Sequence, residues 1–343
     1  MIIQKTQISE QDEGAFLYAT TDLAALCYRI NNFERRPLRF ATKAIASALN
    51  GQFGPEGEDP APPQARSGGL GATRILYVVG SPQKLHFEML FAVVRALGWT
   101  RPGDGSREVR LEHVMFGSVL GEDRKMLRTR SGESVKLKDL LDEAVQRAEK
   151  LVRDTEADPD KRRGFTEDEI KQIAETVGIA AVKYADLSQN RNTDYVFSWD
   201  KMLALSGNTA PYMLYAYARI RSIYRKGEEA VSYQPSAISR QPSARSQKPE
   251  AIMLVQPAER ALGMAILRLP EIIDAVADSL LPNILCDYLY DLAGKFMTFY
   301  ESCPVLQAPD KATRASRLRL CDLTARALKL GLGLLGIPTL ERM

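Results

Sequence analysis

Arg74-Ile-Leu-Tyr-Val-Val-Gly80, followed at once by Ser81-Pro-Gln-Lys-Leu-His-Phe87, is the stretch that decides how this chain is built. The run between Arg74 and Gly80 is apolar and rich in β-branched residues, the pattern of a strand buried in a parallel sheet. It stops at Ser81-Pro82, where Ser suits an N-cap and Pro the first helical turn. The spacing then predicts a helix running through Phe91 and Val94 until Gly98 closes it. Strand, tight turn and helix in succession are the unit of a parallel α/β sheet, and a second strand is expected over 109–116.

Outward from there the pattern changes. Residues 117–132, Gly-Ser-Val-Leu-Gly-Glu-Asp-Arg-Lys-Met-Leu-Arg-Thr-Arg-Ser-Gly, are basic and punctuated by glycine, with neither helical nor strand period; they read as a functional loop. After Asp139 the pattern is helical throughout. Thr166-Glu-Asp-Glu169 has the spacing of a capping box, and helices are expected over 167–189, 200–206 and 210–225. Leu318, Cys321, Ala325, Leu328, Leu332 and Leu335 recur at three- and four-residue steps, one apolar stripe on a late helix. The fold class is therefore α/β followed by an all-α bundle.

Two stretches break this order. Residues 50–73 and 231–249 are rich in Pro, Gly, Ser and Gln and hold too little apolar surface to offset the entropy of ordering them. Deleting 231–249 is expected to leave the helical half folded; a large loss of helical circular dichroism or of melting temperature would show that the segment packs.

Composition narrows the partners less than the pattern does. With 343 residues the chain is long enough for two domains, and 45% hydrophobic with 26% charged is a globular balance. No apolar run reaches the roughly 18 residues of a membrane span, and the first residues lack a secretory signal, so an intracellular, cytoplasmic protein with no membrane partner is expected, an organelle staying open. Cys27, Cys286, Cys303 and Cys321 are scattered and only His86 and His113 could join them, so neither zinc nor any other protein-held metal, nor a disulfide framework, is expected. The formal charge of +3 leaves nucleic-acid binding to local basic faces.

Four segments, taken in order, resemble arginyl-tRNA synthetase, a class I aminoacyl-tRNA synthetase: Gly14-Ala-Phe-Leu-Tyr-Ala-Thr-Thr-Asp-Leu-Ala-Ala25, Ile75 through Phe87, Gly207-Asn-Thr-Ala-Pro-Tyr-Met-Leu-Tyr-Ala-Tyr-Ala-Arg-Ile-Arg-Ser222, and Gly336-Ile-Pro-Thr-Leu-Glu-Arg-Met343. The resemblance implies part of a Rossmann-type catalytic domain over 1–145, connecting helices over 146–205 and an α-helical anticodon-binding domain over 206–343. Residues 32–73 and 228–250 then look like insertions. The family's HIGH motif, which holds ATP, has no counterpart here. The resemblance thus implies a chain truncated at its N-terminus and inactive alone, with a non-catalytic tRNA-binding fragment or a subunit of a split synthetase as the alternative.

Within that resemblance the candidate residues fall into three groups. Recognising arginine needs a carboxylate, because the guanidinium's planar fork of donors pairs best with two acceptor oxygens. Asp22, with Tyr18 four residues before it, meets the need and matches the family's substrate-binding pair; Gln83, just past a strand end where open α/β sheets bind ligands, matches a third pocket residue. His86 matches a histidine near the nucleotide site. The structural alternative has Asp22 capping a helix over 23–30, Tyr18 packing and Gln83 in solvent. Lys125-Met-Leu-Arg-Thr-Arg130 takes the place of the KMSKS loop, whose cations neutralise the leaving pyrophosphate; Lys125, Arg128 and Arg130 are its candidates, and Leu127 and Arg128 depart from the class pattern. Tyr212, Tyr215 and Arg219 fall at i, i+3 and i+7, a helix face with two rings and a cation suited to unstacked bases, with Arg221, Arg225 and Lys226 as a basic flank beyond it. Tyr300 and Met343 match family positions lining the same anticodon site. The implied substrates are arginine, ATP with Mg2+ and tRNA(Arg), and the implied protein is a monomer.

Overall fold

The apolar run forms β1 (Arg74–Gly80), and the chain turns through a single 3-10 turn, Ser81–Gln83, into helix α1 (Lys84–Ala96). β2 (Arg110–Phe116) pairs with β1 in parallel, Arg74 opposite Arg110 and Gly80 opposite Phe116. The computed structural model describes Asp22, Leu23, Ala25, Leu26, Arg29, Ile30 and residues 72–101, 108–121, 123–125, 136–228 and 252–343. Tyr18, Arg128 and Arg130 lie outside the described residues, as do nearly all of the two stretches expected to be insertions.

Packing divides the chain into two compact units, Met1–Phe116 and Gly117–Met343. In the first, Phe87, Leu90, Phe91 and Val94 line one stripe of α1 at steps of three and four. They bury against Ile75, Leu111 and the helical residues Leu23, Leu26 and Ile30. Gly98 ends α1 with φ +69°: its amide reaches the Arg95 carbonyl at 2.9 Å and the Trp99 amide that of Val94 at 3.1 Å, a Schellman closure that favours glycine. One expectation fails here. Ser81 makes no side-chain cap, because the 3-10 turn defers the α-helix to Lys84 and puts Gln83 at its N-cap.

The second unit is a helical bundle around one core. Its helices are α2 (Leu137–Ala157), α3 (Glu167–Leu187), the four-residue α4 (Trp199–Met202), α5 (Ala210–Glu228), α6 (Pro257–Leu267), α7 (Leu269–Ser279), α8 (Asn283–Ser302) and α9 (Lys311–Leu334). α3 starts at the expected capping box, the Glu169 amide donating to Thr166 Oγ1 at 3.2 Å and the Thr166 amide to Glu169 Oε2 at 2.9 Å. In the expected stripe, Cys321, Ala325, Leu328, Leu332 and Leu335 are buried and Leu318 is half-buried. Ala174, Val177, Ala181 and Tyr184 of α3 share that core with Met213, Leu214 and Leu328, so α3 belongs with the bundle.

Two short strands depart from the expected loop and all-helical reading. β3 (Val119–Leu120) lies inside the segment read as a loop and pairs in parallel with β4 (Tyr195–Val196). Two residues are too few to show a period of two. The helix expected over 200–206 is likewise only α4. Among the described residues no helix is long and apolar enough to cross a membrane.

Candidate functional site

In the first unit Asp22, like Leu23, has helical backbone. Its Oδ2 lies 2.9 Å from His86 Nε2, and both side chains are largely screened, 21% and 27% exposed. Gln83 is exposed at the start of α1, one turn before His86. Two residues that sequence reasoning passed over join them. Arg29, seven positions after Asp22, donates from Nη1 to the Tyr77 hydroxyl at 2.9 Å, with its guanidinium carbon 5.5 Å from the Tyr77 ring centre. Burial raises the Tyr77 pKa and the charge of Asp22 adds to it, against the opposing pull of Arg29, so the phenol stays neutral. The Tyr77 ring lies 4.8 Å from that of Phe87, tilted by 44°, and Phe87 meets His86 edge-on at 5.2 Å. A carboxylate, an imidazole, a guanidinium and a phenol thus gather beside β1 and the first turns of α1, the helix that follows the strand end where α/β sheets bind ligands.

Lys125 closes a tight turn in the second unit. Its carbonyl accepts the Gly121 amide at 2.8 Å, its own amide donates to Asp123 Oδ1 at 3.1 Å, and Arg124 takes the left-handed region at φ +57°. The base of the loop is held by β3 and by the Ser118 amide, which donates to Asp194 Oδ1 at 2.6 Å. A side chain acting on a transferring group needs such a fixed root.

The bundle carries the third group. Of the tyrosines on α5, Tyr217 and Tyr224 are buried, while Tyr212 and Tyr215 are half-exposed with Arg219 on one face. Arg219 Nη1 donates to the Tyr215 hydroxyl. The guanidinium carbon lies 5.7 Å from the Tyr215 ring centre and 4.7 Å from that of Tyr300, on α8. Its Nε is buried with no hydrogen-bond partner among the described residues, an uncommon state for a charged group. Tyr212 meets Tyr290 edge-on at 5.8 Å. Tyr290 is 41% exposed and was not singled out in the sequence, although its place on α8 extends the face. Burial, then Tyr290 and Glu301, raise the Tyr212 pKa, keeping that hydroxyl neutral. Met343 is half-buried against the bundle core. The structure therefore brings Tyr212, Tyr215, Arg219 and Tyr300 onto one aromatic and cationic surface, open enough for planar rings to lie on.

No group of three His, Cys, Asp or Glu side chains among the described residues could hold a metal ion. A cavity of about 110 Å³ lined by Tyr184, Tyr195, Lys201 and Asn208 includes none of the candidate residues, and it is smaller than the roughly 300 Å³ of an ordinary ligand site.

Comparison with known proteins matches both halves. The catalytic domain of class I tRNA synthetases (R) matches residues 42–199, and the DALR anticodon binding domain matches 213–343. An arginine–tRNA ligase of Crocosphaera subtropica is 48% identical over 336 residues, which is 98% of this chain and 48% of that protein. The crystal structure of the arginyl-tRNA synthetase of Plasmodium falciparum aligns with a TM-score of 0.66 at 31% identity, covering 96% of this chain and 45% of that one. That of Thermus thermophilus aligns at 0.69 and 24% identity over 96% and 50%, a likeness of fold. The chain spans about half the length of the curated relatives it matches.

Proposed function

The chain belongs to the arginyl-tRNA synthetase family, and from that premise we propose that it serves the ATP-dependent attachment of arginine to tRNA(Arg). In that reaction the arginine carboxylate attacks the α-phosphate of ATP, pyrophosphate leaves with the accompanying Mg2+, and the arginyl group passes from the adenylate to the terminal ribose of the tRNA. Asp22, with Tyr18 and Gln83, holds the substrate guanidinium, and His86 sits toward the nucleotide. Lys125, Arg128 and Arg130 meet the pyrophosphate charge as it develops. Tyr212, Tyr215, Arg219, Tyr300 and Met343 receive the anticodon. The protein works as a monomer in the cytoplasm.

The observation that carries this reading is Arg219, braced between the Tyr215 and Tyr300 rings on the half-exposed face of α5. A base stacked there would gain a π surface beside the guanidinium charge. Stacking is worth roughly 1–3 kcal/mol per base, so Tyr215→Ala weakens tRNA(Arg) binding about five- to hundredfold. Tyr215 is half-exposed, so the melting temperature moves little. Filter-binding titrations of wild type and variant, against tRNA(Arg) and the same tRNA with its central anticodon base changed, decide the matter. Equal affinity of the wild type for the two tRNAs would end the anticodon assignment.

A further inference from the structure

We propose that Arg163, Arg225 and Arg342 form a second anion site around the C-terminal turn, and that it takes a phosphodiester of the RNA backbone; the choice of RNA rests on the anticodon reading above. The turn is built firmly. Gly336, at φ +69°, closes α9 in a Schellman motif, with the Ile337 amide donating to the Leu332 carbonyl at 2.9 Å. Ile337 and Leu340 are then buried, which pins the last residues to the bundle.

That anchorage draws arginines together from three separate segments. Glu341 accepts Arg221 Nε at 2.6 Å and the Tyr217 hydroxyl at 3.0 Å, while its carbonyl accepts Arg225 Nη1 at 2.7 Å. The next residue, Arg342, donates to Glu169 Oε1 at 3.1 Å and to the Arg163 carbonyl at 3.0 Å, its guanidinium lying 4.9 Å from the centre of the Phe165 ring. Charge does not balance evenly. Arg221 is met by Glu341 and Arg342 by Glu169, but among the described residues neither Arg163 nor Arg225 pairs with a carboxylate. Glu156, also near, is occupied by the amides of Arg163, Gly164 and Phe165 at 2.8, 2.9 and 3.1 Å. Partial burial and then the charge of Arg342, with smaller pulls from Arg221 and Arg163, lower the Arg225 pKa from the ordinary arginine value against the opposing charge of Glu341. Like charges held this close are relieved by a shared anion, and planar guanidinium forks match phosphate oxygens.

The site is separate from the stacking face. Arg225 follows Arg219 by six residues, about 120° round α5 and about 9 Å along it, so Arg225 points away from the tyrosine face, whereas Lys226, one residue on, keeps the side of Arg219. A free phosphate would meet one site only. A polynucleotide with bases on the Tyr215–Tyr300 face is long enough to bring its backbone past the other.

The test is filter binding of the full chain to a tRNA(Arg) transcript over a range of salt, for wild type, Arg163→Gln, Arg225→Gln and the double variant. The slope of log affinity against log salt falls by about 0.7–0.9 for each arginine removed, equally for the anticodon-changed tRNA and with melting temperatures unmoved. Arg163 makes no side-chain bond among the described residues, so Arg163→Gln reports on RNA even where Arg225→Gln disturbs folding. An unchanged slope in both single variants overturns the site. So does competition by inorganic phosphate, beyond that of chloride at equal ionic strength, that the double variant abolishes without altering the slope. A wild type that fails to discriminate anticodons while the slopes still fall sinks the anticodon reading and leaves this site standing.

Discussion

Replacing Arg317 by methionine lowers the stability of the helical bundle by about 3–5 kcal/mol, because it strands a buried carboxylate. Glu259 on α6 is 1% exposed and Arg317 on α9 is 7% exposed, and Arg317 Nε donates to Glu259 Oε1 at 2.7 Å. The other carboxylate oxygen accepts the Val255 and Gln256 amides at 2.8 and 2.9 Å, capping α6. Arg317 Nη1 also serves the Pro304 carbonyl at 2.9 Å. Burial raises the Glu259 pKa, but the Gln256 and Val255 amides and Arg317 outweigh it, leaving the group below its ordinary value of 4.5. A depressed carboxylate stabilises the fold above its unfolded-state pKa and stops doing so as pH falls through the folded one. The wild-type advantage is therefore full at neutral pH and is lost in acid, as pH falls below 4.5 and through the lowered folded-state value. The melting temperature of Arg317→Met should drop on the order of 10 °C, and Glu259→Gln with Arg317→Met should recover much of it by removing both charges. A single variant within about 1 kcal/mol of wild type would mean that water or another cation compensates Glu259.

That pair also marks where reading the sequence stops. β1, α1, the Thr166 capping box and the α9 stripe are legible because each is a local signal: an apolar run, a period of three or four, a hydroxyl three residues before a carboxylate. Glu259 and Arg317 are 58 positions apart and each, read alone, is an ordinary surface charge. The same holds for Arg29 with Tyr77 and for Arg342 with Arg163, contacts that only tertiary packing creates. β3 and β4 escape for another reason, since two-residue strands carry no period and their pairing depends on an approach 76 residues apart. The division of the α5 tyrosines lies between these cases. Periodicity put Tyr212 and Tyr215 on one face, and only the bundle shows that this face is the half-exposed one while Tyr217 and Tyr224 point inward.

Asp22→Asn raises the arginine requirement by about 2–5 kcal/mol, some thirtyfold or more, while leaving tRNA affinity intact. A guanidinium bound to a carboxylate loses its charge partner when the carboxylate becomes an amide, and one of two acceptor oxygens becomes a donor that opposes the guanidinium N–H groups. The side chain of Asp22 is about four-fifths screened, with exposure of 21%, so solvent replaces little of what is lost. His86 Nε2 already lies 2.9 Å from Oδ2, which gives the variant a second consequence to separate from the first. If His86 only orients the carboxylate, His86→Ala costs less than Asp22→Asn and the double variant costs no more than Asp22→Asn alone. If Asp22 exists to hold His86 for the nucleotide, the two single variants raise the ATP requirement alike and leave that for arginine unchanged. The measurement is ATP–pyrophosphate exchange with tRNA present, by the chain joined to the part of a relative that it does not span, with arginine and ATP each varied. An arginine KM unmoved in Asp22→Asn would remove Asp22 from the amino-acid pocket and return it to bracing His86.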